Sequence, residues 1–316
     1  MGLLVTGLAR SGTSWVGKMV EAGGEVVYVN EPLNPGHPPG QSPGVLDHRV
    51  SHQYQYIEDG DAAWLRAFTR TLALHYGFLR ELRRNHRPYD LARLAKYGTS
   101  FTVGRLRGRR ALLDDPFALF ATPWLARTLG VRAVVLVRDP VAVAGSYRRL
   151  GWRMRFDQLL DQPGLVRDLL GPHAGEAREA AAETDPLRSY ALMWRVTYGI
   201  VDRHYRELPG VAIRRYEDFA TDPARAFAEL YDHFGLRFSE RAAARIAKAT
   251  GSTGTDRDAH RWTLAFGLSK TAFRPMNSAS MLESAYRRLQ PDEIATVREL
   301  TADVAERFYP APVTAG

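Results

Sequence analysis

Five short apolar runs, each followed by a turn and a longer amphipathic stretch, recur along this chain. They cover residues 3–5, 25–30, 111–113, 132–137 and 211–215. Apolar runs without polar alternation are typical of strands that are buried on both faces, as in a parallel sheet. The alternation of such strands with helical segments predicts a three-layer α/β fold, in which a central parallel sheet is flanked by many helices.

Helical periodicity fills most of the chain between these runs. Apolar residues at three- and four-residue spacing predict helices at 15–22, 61–96, 117–129, 141–150, 153–209 (in segments), 223–234, 240–249 and 292–308. Residues 32–60 are rich in Pro, Gly and His without periodicity, which predicts a structured loop over the active site. We find no internal repeat and no linker, so we expect one domain over residues 1–316.

The composition narrows the class of protein. The chain has 316 residues, 45% of them hydrophobic, which is enough to bury a substantial core. It contains no cysteine, which excludes disulfides and thiolate metal sites and favours a reducing cytoplasm. No stretch is long and apolar enough for a membrane span, and the first strand begins too early for a secretory signal. We therefore expect a cytoplasmic protein.

The chain is basic, with a formal charge of +8. Positive residues are scattered through the predicted helices, and no nucleic-acid-binding module is recognisable. We expect no nucleic-acid partner, because a multiply charged nucleotide ligand is a sufficient explanation for the charge. The sequence leaves the oligomeric state open.

A glycine-bearing turn joins the first strand to the first helix. Gly7 and Gly12 permit a tight backbone, Thr13 and Ser14 add hydroxyl groups, and Arg10 adds a fixed positive charge. Strand, turn and helix N-terminus together form a socket for an anion, most often a phosphate. The alternative interpretation is an ordinary turn whose Gly, Ser and Thr residues only shape and cap it.

A second candidate phosphate site follows the fourth strand. Arg138 ends that strand, Pro140 begins a helix, and Ser146 lies eight positions after Arg138. A guanidinium group and a hydroxyl group suit a phosphate monoester. Taken singly, a surface arginine and a helix serine are very common, so the spacing carries the inference.

These two motifs resemble those of the sulfotransferases that use 3′-phosphoadenosine 5′-phosphosulfate (PAPS). Residues 10–14, Arg-Ser-Gly-Thr-Ser, are similar to the family's 5′-phosphosulfate loop, and strand-Arg-x-Pro-x₅-Ser is similar to its 3′-phosphate site. The resemblance implies a P-loop-like fold and a sulfotransferase with PAPS as nucleotide sulfate donor and PAP as product. It implies no metal, and as acceptor the hydroxyl or amine of a small molecule, for which we expect bacterial natural-product or lipid metabolism.

The resemblance also implies roles for individual residues. Glu31 follows the second strand, 21 positions after Arg10, as does the general base in the branch that includes tyrosylprotein sulfotransferases. Without the resemblance, Glu31 is an ordinary solvated loop acid. The implied catalytic residues are Glu31 and Arg10. The implied nucleotide-binding residues are Arg10, Ser11, Gly12, Thr13, Ser14, Trp15, Arg138, Ser146, Tyr216 (near adenine) and Arg274 (in a late basic loop).

One position departs from the family pattern. Many bacterial members carry Lys-Asp-Pro after the third strand, whereas this chain has Asp114 at the lysine position. Arg109 or Arg110 is a candidate source of the missing charge. The departure also keeps open a nucleotide-binding module that has lost catalysis.

A P-loop nucleoside kinase is the remaining alternative. The nucleoside-triphosphatase loop reads G-x-x-x-x-G-K-[ST], and here Thr13 replaces its lysine. We also identify no separate acidic strand end to bind Mg²⁺.

Overall fold

A parallel sheet forms the centre of the molecule. The computed structural model describes residues 1–36, 46, 48–84, 88–152, 155–250, 286 and 288–310. Within these residues the strands are β1 (Leu3–Gly7), β2 (Val26–Asn30), β3 (Arg110–Asp114), β4 (Arg132–Val137) and β5 (Val211–Arg215). All pair in parallel, in the order β2-β3-β1-β4-β5. The predicted α/β fold with a central parallel sheet is confirmed.

Helices surround this sheet. In the described part of the chain they are α1 (Thr13–Glu21), α2 (Ala62–Leu72), α3 (Phe78–Arg84), α4 (Pro88–Leu106), α5 (Thr122–Leu129), α6 (Pro140–Leu150), α7 (Phe156–Leu160), α8 (Pro163–Leu165), α9 (Ala174–Ala182), α10 (Pro186–Tyr205), α11 (Tyr216–Thr221), α12 (Pro223–Phe234), α13 (Glu240–Thr250) and α14 (Pro291–Phe308). A π-helical turn (Val166–Leu170) and a 3₁₀ turn (Gly171–His173) lie between α8 and α9. None of these helices is long and apolar enough to cross a membrane.

One predicted helix is divided in two. The single helix expected over residues 117–129 is a 3₁₀ segment, Pro116–Ala121, followed by α5. The Asp115 side chain caps the 3₁₀ segment by accepting a hydrogen bond from the backbone N–H of Phe117. Pro123 lies in the first turn of α5 and has no N–H to continue the upstream helix, which accounts for the break.

Helices cover both faces of the sheet because successive strand side chains point to opposite sides. Leu3 and Val5 pack in one core cluster with residues of α1 and α12, whereas Leu4 packs in another with Phe68 of α2 and Phe101 of α4. All five residues of β1 are buried. The central strand is therefore buried on both faces, as its unbroken apolar sequence predicts.

The carboxyl ends of the strands share one edge of the sheet. In register, Val5 lies opposite Asp114, Gly7 opposite Leu136, and Asn30 opposite Asp114. The segments that leave β1, β2, β3, β4 and β5 therefore start side by side. This edge is where open α/β sheets bind ligands, and every candidate residue at a strand end lies along it.

Candidate active site

The turn after β1 requires glycine for close packing. Gly12 has φ +93°, and a Cβ atom there would lie 2.4 Å from ring carbons of Tyr216. A Cβ atom at Gly7 would lie 2.5 Å from the carbonyl oxygen of Leu136. Arg10, between them, has a left-handed φ of +73°. The loop is thus held tightly between β4 and the residue that follows β5.

The N-terminus of α1 points out of this loop. The helix begins at Thr13, and its N-cap residue, Gly12, provides no side-chain cap. The first N–H groups of a helix have no acceptor within the helix, and the helix dipole adds positive potential at the same place. The geometry therefore fits an anion at Gly12, Thr13 and Ser14, as the sequence motif predicts.

The two arginine motifs meet at this loop. Arg10 Nε donates a hydrogen bond to Ser146 Oγ at 3.0 Å, and Arg138 Nη1 donates one to the carbonyl oxygen of Arg10 at 3.0 Å. Arg138 is only 6% exposed. Its Nε atom is buried and has no hydrogen-bond partner among the described residues. A buried guanidinium with an unused N–H is suited to bind an anion.

Aromatic rings line the same side of the loop. The Arg138 guanidinium carbon lies 4.5 Å from the centroid of the Tyr216 ring, within cation–π range. Trp15 meets Tyr216 edge-on, with 5.4 Å between ring centroids. Both rings are largely buried, Trp15 also against Phe227 of α12. Trp15, Tyr216 and Arg138 therefore form one wall beside Gly12.

Two further arginines join this group, and the sequence prediction missed both. Burial lowers the pKa of Arg10, and the positive charges of Arg138, Arg149 and Arg288 lower it further. The pKa of Arg288 is lowered by burial and then by Arg149 and Arg138. None of these arginines forms an ion pair with a carboxylate in the described ranges. Among the described residues, the Glu217 carboxylate interacts with Arg138, whose charge opposes the rise in the Glu217 pKa caused by burial, but the four arginines still leave an excess of positive charge, which suits a ligand with several negative charges.

The sequence itself contains a signal that could have identified Arg149. Arg149 lies three residues after Ser146 on α6, which puts the two side chains on one face of the helix. Arg288 precedes α14 and has no motif around it, so only the tertiary structure reveals its place.

Ser11 is turned away from the loop opening. It is fully buried, its N–H donates to the carbonyl oxygen of Leu8 at 3.0 Å, and its hydroxyl pairs with the Tyr198 hydroxyl at 2.8 Å. Tyr198 also accepts a hydrogen bond from the N–H of Leu8 and donates one to the carbonyl oxygen of Leu136. Ser11 thus shapes the loop from below, and Tyr198 of α10 supports it.

Glu31 lies at the same edge, two strands from Arg10, with β3 between them. Its backbone has a left-handed φ of +42°. Its N–H donates to the carbonyl oxygen of Asp114 at 2.8 Å, and its Oε2 accepts a hydrogen bond from Asn34 Nδ2 at 2.6 Å. The carboxylate is thus held at the end of the sheet, on the opposite side of the loop from Arg138.

Asp114 is a buried acid. It is fully buried beneath α1, with its Cβ 3.3 Å from the position of a Cβ at Gly17, and it accepts a hydrogen bond from the Tyr28 hydroxyl. Burial raises the pKa of Asp114 to about 6, and the charge of Glu31 raises it too, while hydrogen bonds from Tyr28, Ser14 and Thr13 oppose the rise. Because β3 is the neighbour of β1, this acidic strand end lies beside the loop.

The suggested substitutes for the missing lysine are at the wrong edge. Arg110 begins β3, and Arg109 precedes it, so both lie at the amino end of the strand. The Arg110 guanidinium donates to the carbonyl oxygens of Met1 and Phe234. Neither arginine replaces a charge at Asp114. Arg274, the remaining predicted nucleotide-binding residue, lies outside the described residues.

Comparison with known proteins identifies the family. Residues 3–240 match the model of the sulfotransferase family. Since this match covers most of the 316 residues, the chain belongs to the sulfotransferase family and is an enzyme. No curated protein matches the chain.

Solved sulfotransferase structures resemble the chain at low identity. The sulfotransferase domain from the curacin biosynthetic pathway is 14% identical, covers 96% of this chain and 97% of its own, and has a TM-score of 0.47. The sulfotransferase domain of the Synechococcus PCC 7002 olefin synthase is 14% identical, covers 98% of this chain and 94% of its own, and has a TM-score of 0.44. Mouse sulfotransferase SULT7A1, complexed with PAP, is 12% identical, covers 98% of this chain and 89% of its own, and has a TM-score of 0.43.

Proposed function

We propose that this enzyme transfers the sulfuryl group of PAPS to a hydroxyl or amine of a small-molecule acceptor. The observation that carries the proposal is the convergence of Arg10, Arg138 and Ser146 at the uncapped N-terminus of α1. Membership of the sulfotransferase family supports the reaction type. The excess of positive charge in the arginine cluster supports a donor with several anionic groups.

The described residues fit such a donor. Arg138, with its unused buried Nε, is assigned with Ser146, Arg149 and Arg288 to the 3′-phosphate. Arg10 and the first N–H groups of α1 are assigned to the 5′ side. Trp15 and Tyr216, whose rings meet edge-on beside the loop, are assigned to the adenine. When bound, PAPS supplies the sulfuryl group together with a phosphate leaving group.

We assign the two catalytic roles to Glu31 and Arg10. Glu31 takes the proton from the acceptor hydroxyl or amine as the new bond to sulfur forms. Arg10 and the positive end of α1 stabilise the negative charge that develops on the leaving oxygen. The contacts of Arg138 and Ser146 with the loop fix the donor side of the reacting geometry.

Transfer of ³⁵S from labelled PAPS to phenols, aliphatic alcohols and primary amines, in the presence of EDTA, tests the proposal. We expect labelled product and, for Glu31→Gln, unchanged PAP affinity with turnover lowered by roughly 10²-fold. Glu25→Gln is the matched control, because Glu25 lies at the opposite edge of the sheet beside the N–H of Arg237. Normal turnover by Glu31→Gln would assign the base elsewhere.

Two other outcomes would replace the proposal. Asp114 beside Ser14 is the observation that favours a P-loop kinase, and phosphoryl transfer from ATP that requires Mg²⁺ would support that activity. Tight PAP binding with no consumption of PAPS, by any acceptor or by water, would identify a nucleotide-binding module without catalysis.

A further inference from the structure

Glu31 occupies a backbone conformation that non-glycine residues rarely adopt. Its φ of +42° places it in the left-handed region, where a side chain with a Cβ atom is strained. Such strain persists only where surrounding contacts hold it, and it is concentrated at functional sites. The contacts that hold Glu31 are therefore informative.

The end of β3 holds the backbone of this turn. The N–H of Glu31 donates to the carbonyl oxygen of Asp114 at 2.8 Å, and the N–H of Leu33 donates to Asp115 Oδ2 at 2.6 Å. Asp115 is fully buried and is itself fixed by the N–H of Phe117. The N–H of Asn34 closes the turn on the carbonyl oxygen of Glu31 at 3.1 Å. The turn is thus attached to the sheet independently of the Asn34 side chain.

The Asn34 side chain acts on the Glu31 carboxylate instead. Asn34 Nδ2 donates to Glu31 Oε2 at 2.6 Å, and Asn34 Oδ1 accepts a hydrogen bond from the N–H of Gly36 at 2.9 Å. A carboxylate only accepts and a backbone N–H only donates, so these partners fix which end of the amide faces which group. The geometry points to Asn34 as a positioning residue that orients the Glu31 carboxylate for proton transfer.

This inference rests on the proposed role of Glu31 as the base. Among the described residues, Asp114, Asp115 and Tyr28 are close enough to feel this carboxylate: burial raises the pKa of each, and the charge of Glu31 raises it further. An N–H donor stabilises a carboxylate charge among such neighbours. A hydrogen bond to one carboxylate oxygen also restricts the flexible glutamate side chain to one orientation. Asn34 supplies both effects.

Two substitutions separate this role from simple loop support. Asn34→Asp keeps an acceptor for the N–H of Gly36, removes the donor to Glu31 and adds a negative charge. Asn34→Ala removes both bonds. The assay follows ³⁵S transfer from PAPS to 2-naphthol, and PAPS hydrolysis by water as a second readout, from pH 5 to 9, with PAP affinity and circular dichroism measured in parallel.

We expect kcat to fall about tenfold or more in both variants, at the lower end of the effect of general-base groups. PAP affinity should stay within about twofold, because the donor-binding residues lie on the other side of β3. The acid limb of the kcat profile should move to higher pH in Asn34→Asp, since the added charge opposes ionisation of the base. A normal Asn34→Asp beside an impaired Asn34→Ala would show that Asn34 only supports Gly36, and would overturn the inference.

A double variant distinguishes this failure from failure of the proposed function. If Asn34 acts through Glu31, Glu31→Gln/Asn34→Ala should be no slower than Glu31→Gln alone, and additive losses would contradict the inference. An inactive Glu31→Gln with fully active Asn34 variants would overturn the role of Asn34 and leave the base intact. Wild-type turnover by Glu31→Gln would assign the base elsewhere and overturn this inference with it, whereas no transfer or hydrolysis by the wild type would overturn the proposed function itself.

Discussion

The guanidinium of Arg10 and the hydroxyl of Ser146, 136 residues apart in sequence, are joined by a 3.0 Å hydrogen bond. Arg10 lies in the loop after β1, and Ser146 lies on α6, which follows β4. Because β1 and β4 are neighbours in the sheet, their carboxyl ends bring these side chains together. One bond therefore connects the two phosphate motifs of the sequence.

Replacing Ser146 by Ala should weaken PAP binding about tenfold, the usual effect of losing a hydrogen bond to a charged group. Ser146 is almost completely buried, so water does not replace its hydroxyl. Isothermal titration with PAP measures the change. Ser189→Ala is the control, because Ser189 is a similarly buried serine on α10. Equal PAP affinities for wild type and Ser146→Ala would remove Ser146 from the nucleotide site.

Tyr198→Phe should reduce both stability and PAP affinity. Its hydroxyl bonds the N–H of Leu8, the hydroxyl of Ser11 and the carbonyl oxygen of Leu136, and removing it leaves buried groups unsatisfied at a cost of about 1–3 kcal/mol. Tyr205→Phe is the matched control, since Tyr205 is equally buried on α10 and donates only to Leu119. Urea unfolding should detect both losses. A loss of PAP affinity confined to Tyr198→Phe would show that this hydroxyl positions the loop.

Gly12→Ala should abolish PAP binding, and Gly24→Ala should leave it unchanged. The two glycines have similar positive φ angles, +93° and +84°, so alanine is strained at both, by about 1–3 kcal/mol. At Gly12 the new Cβ collides with the ring of Tyr216, whereas at Gly24 it meets no atom of the described residues within 4 Å, its chain neighbours aside. Titration with PAP and urea unfolding compare the two variants. Normal PAP affinity in Gly12→Ala would show that the loop tolerates displacement of Tyr216.

Asp114→Asn should change how stability depends on pH. Burial raises the pKa of Asp114 from its ordinary 3.8 to about 6, so between these values the folded protein holds a proton that the unfolded chain releases. The free energy of unfolding therefore falls as pH rises through this window, by up to about 3 kcal/mol. Asparagine does not ionise and removes this fall.

Urea unfolding from pH 4 to pH 7.5 measures the difference between wild type and Asp114→Asn. The variant should gain stability relative to the wild type as pH rises, with most of the gain between about pH 4 and 6. Asp115 is present in both proteins, and its pKa is raised by burial, by the charge of Glu31 and by the charge of Asp114, so its contribution cancels except for the part that depends on the Asp114 charge. A difference that does not vary with pH would mean that Asp114 ionises as easily in the folded protein as in the unfolded one.

The fold was largely predictable because its signals are local. The run that became β4 has no polar residue after Arg132, and the predicted bounds of β4 and β5 match the structure. Arg138 and Ser146 were predictable for the same reason, because the end of β4 and the helix that follows it fix the spacing between them. Titration with PAP tests whether Arg138 and Ser146 bind the nucleotide.

The remaining parts of the site depend on packing that no short segment encodes. Arg110 does not replace the missing lysine, because it lies four residues before Asp114 on β3. This separation places it about 13 Å from Asp114, at the amino end of the strand. The burial of Asp114 follows from the position of α1 above it, and the support of the loop by Tyr198 follows from the packing of α10. Arg288 reaches the arginine cluster only through the placement of the chain before α14.

The position of β1 in the middle of the sheet gives the enzyme a modular character. The residues assigned to the sulfate donor follow β1, β4 and β5, whereas Glu31 and Asn34 follow β2 on the far side of β3. The long connection that carries α2, α3 and α4 joins β2 to β3, and its described residues supply no arginine to the cluster. Under the proposed assignments we therefore expect chimeras that exchange this connection between relatives to change acceptor preference and to keep their affinity for PAP.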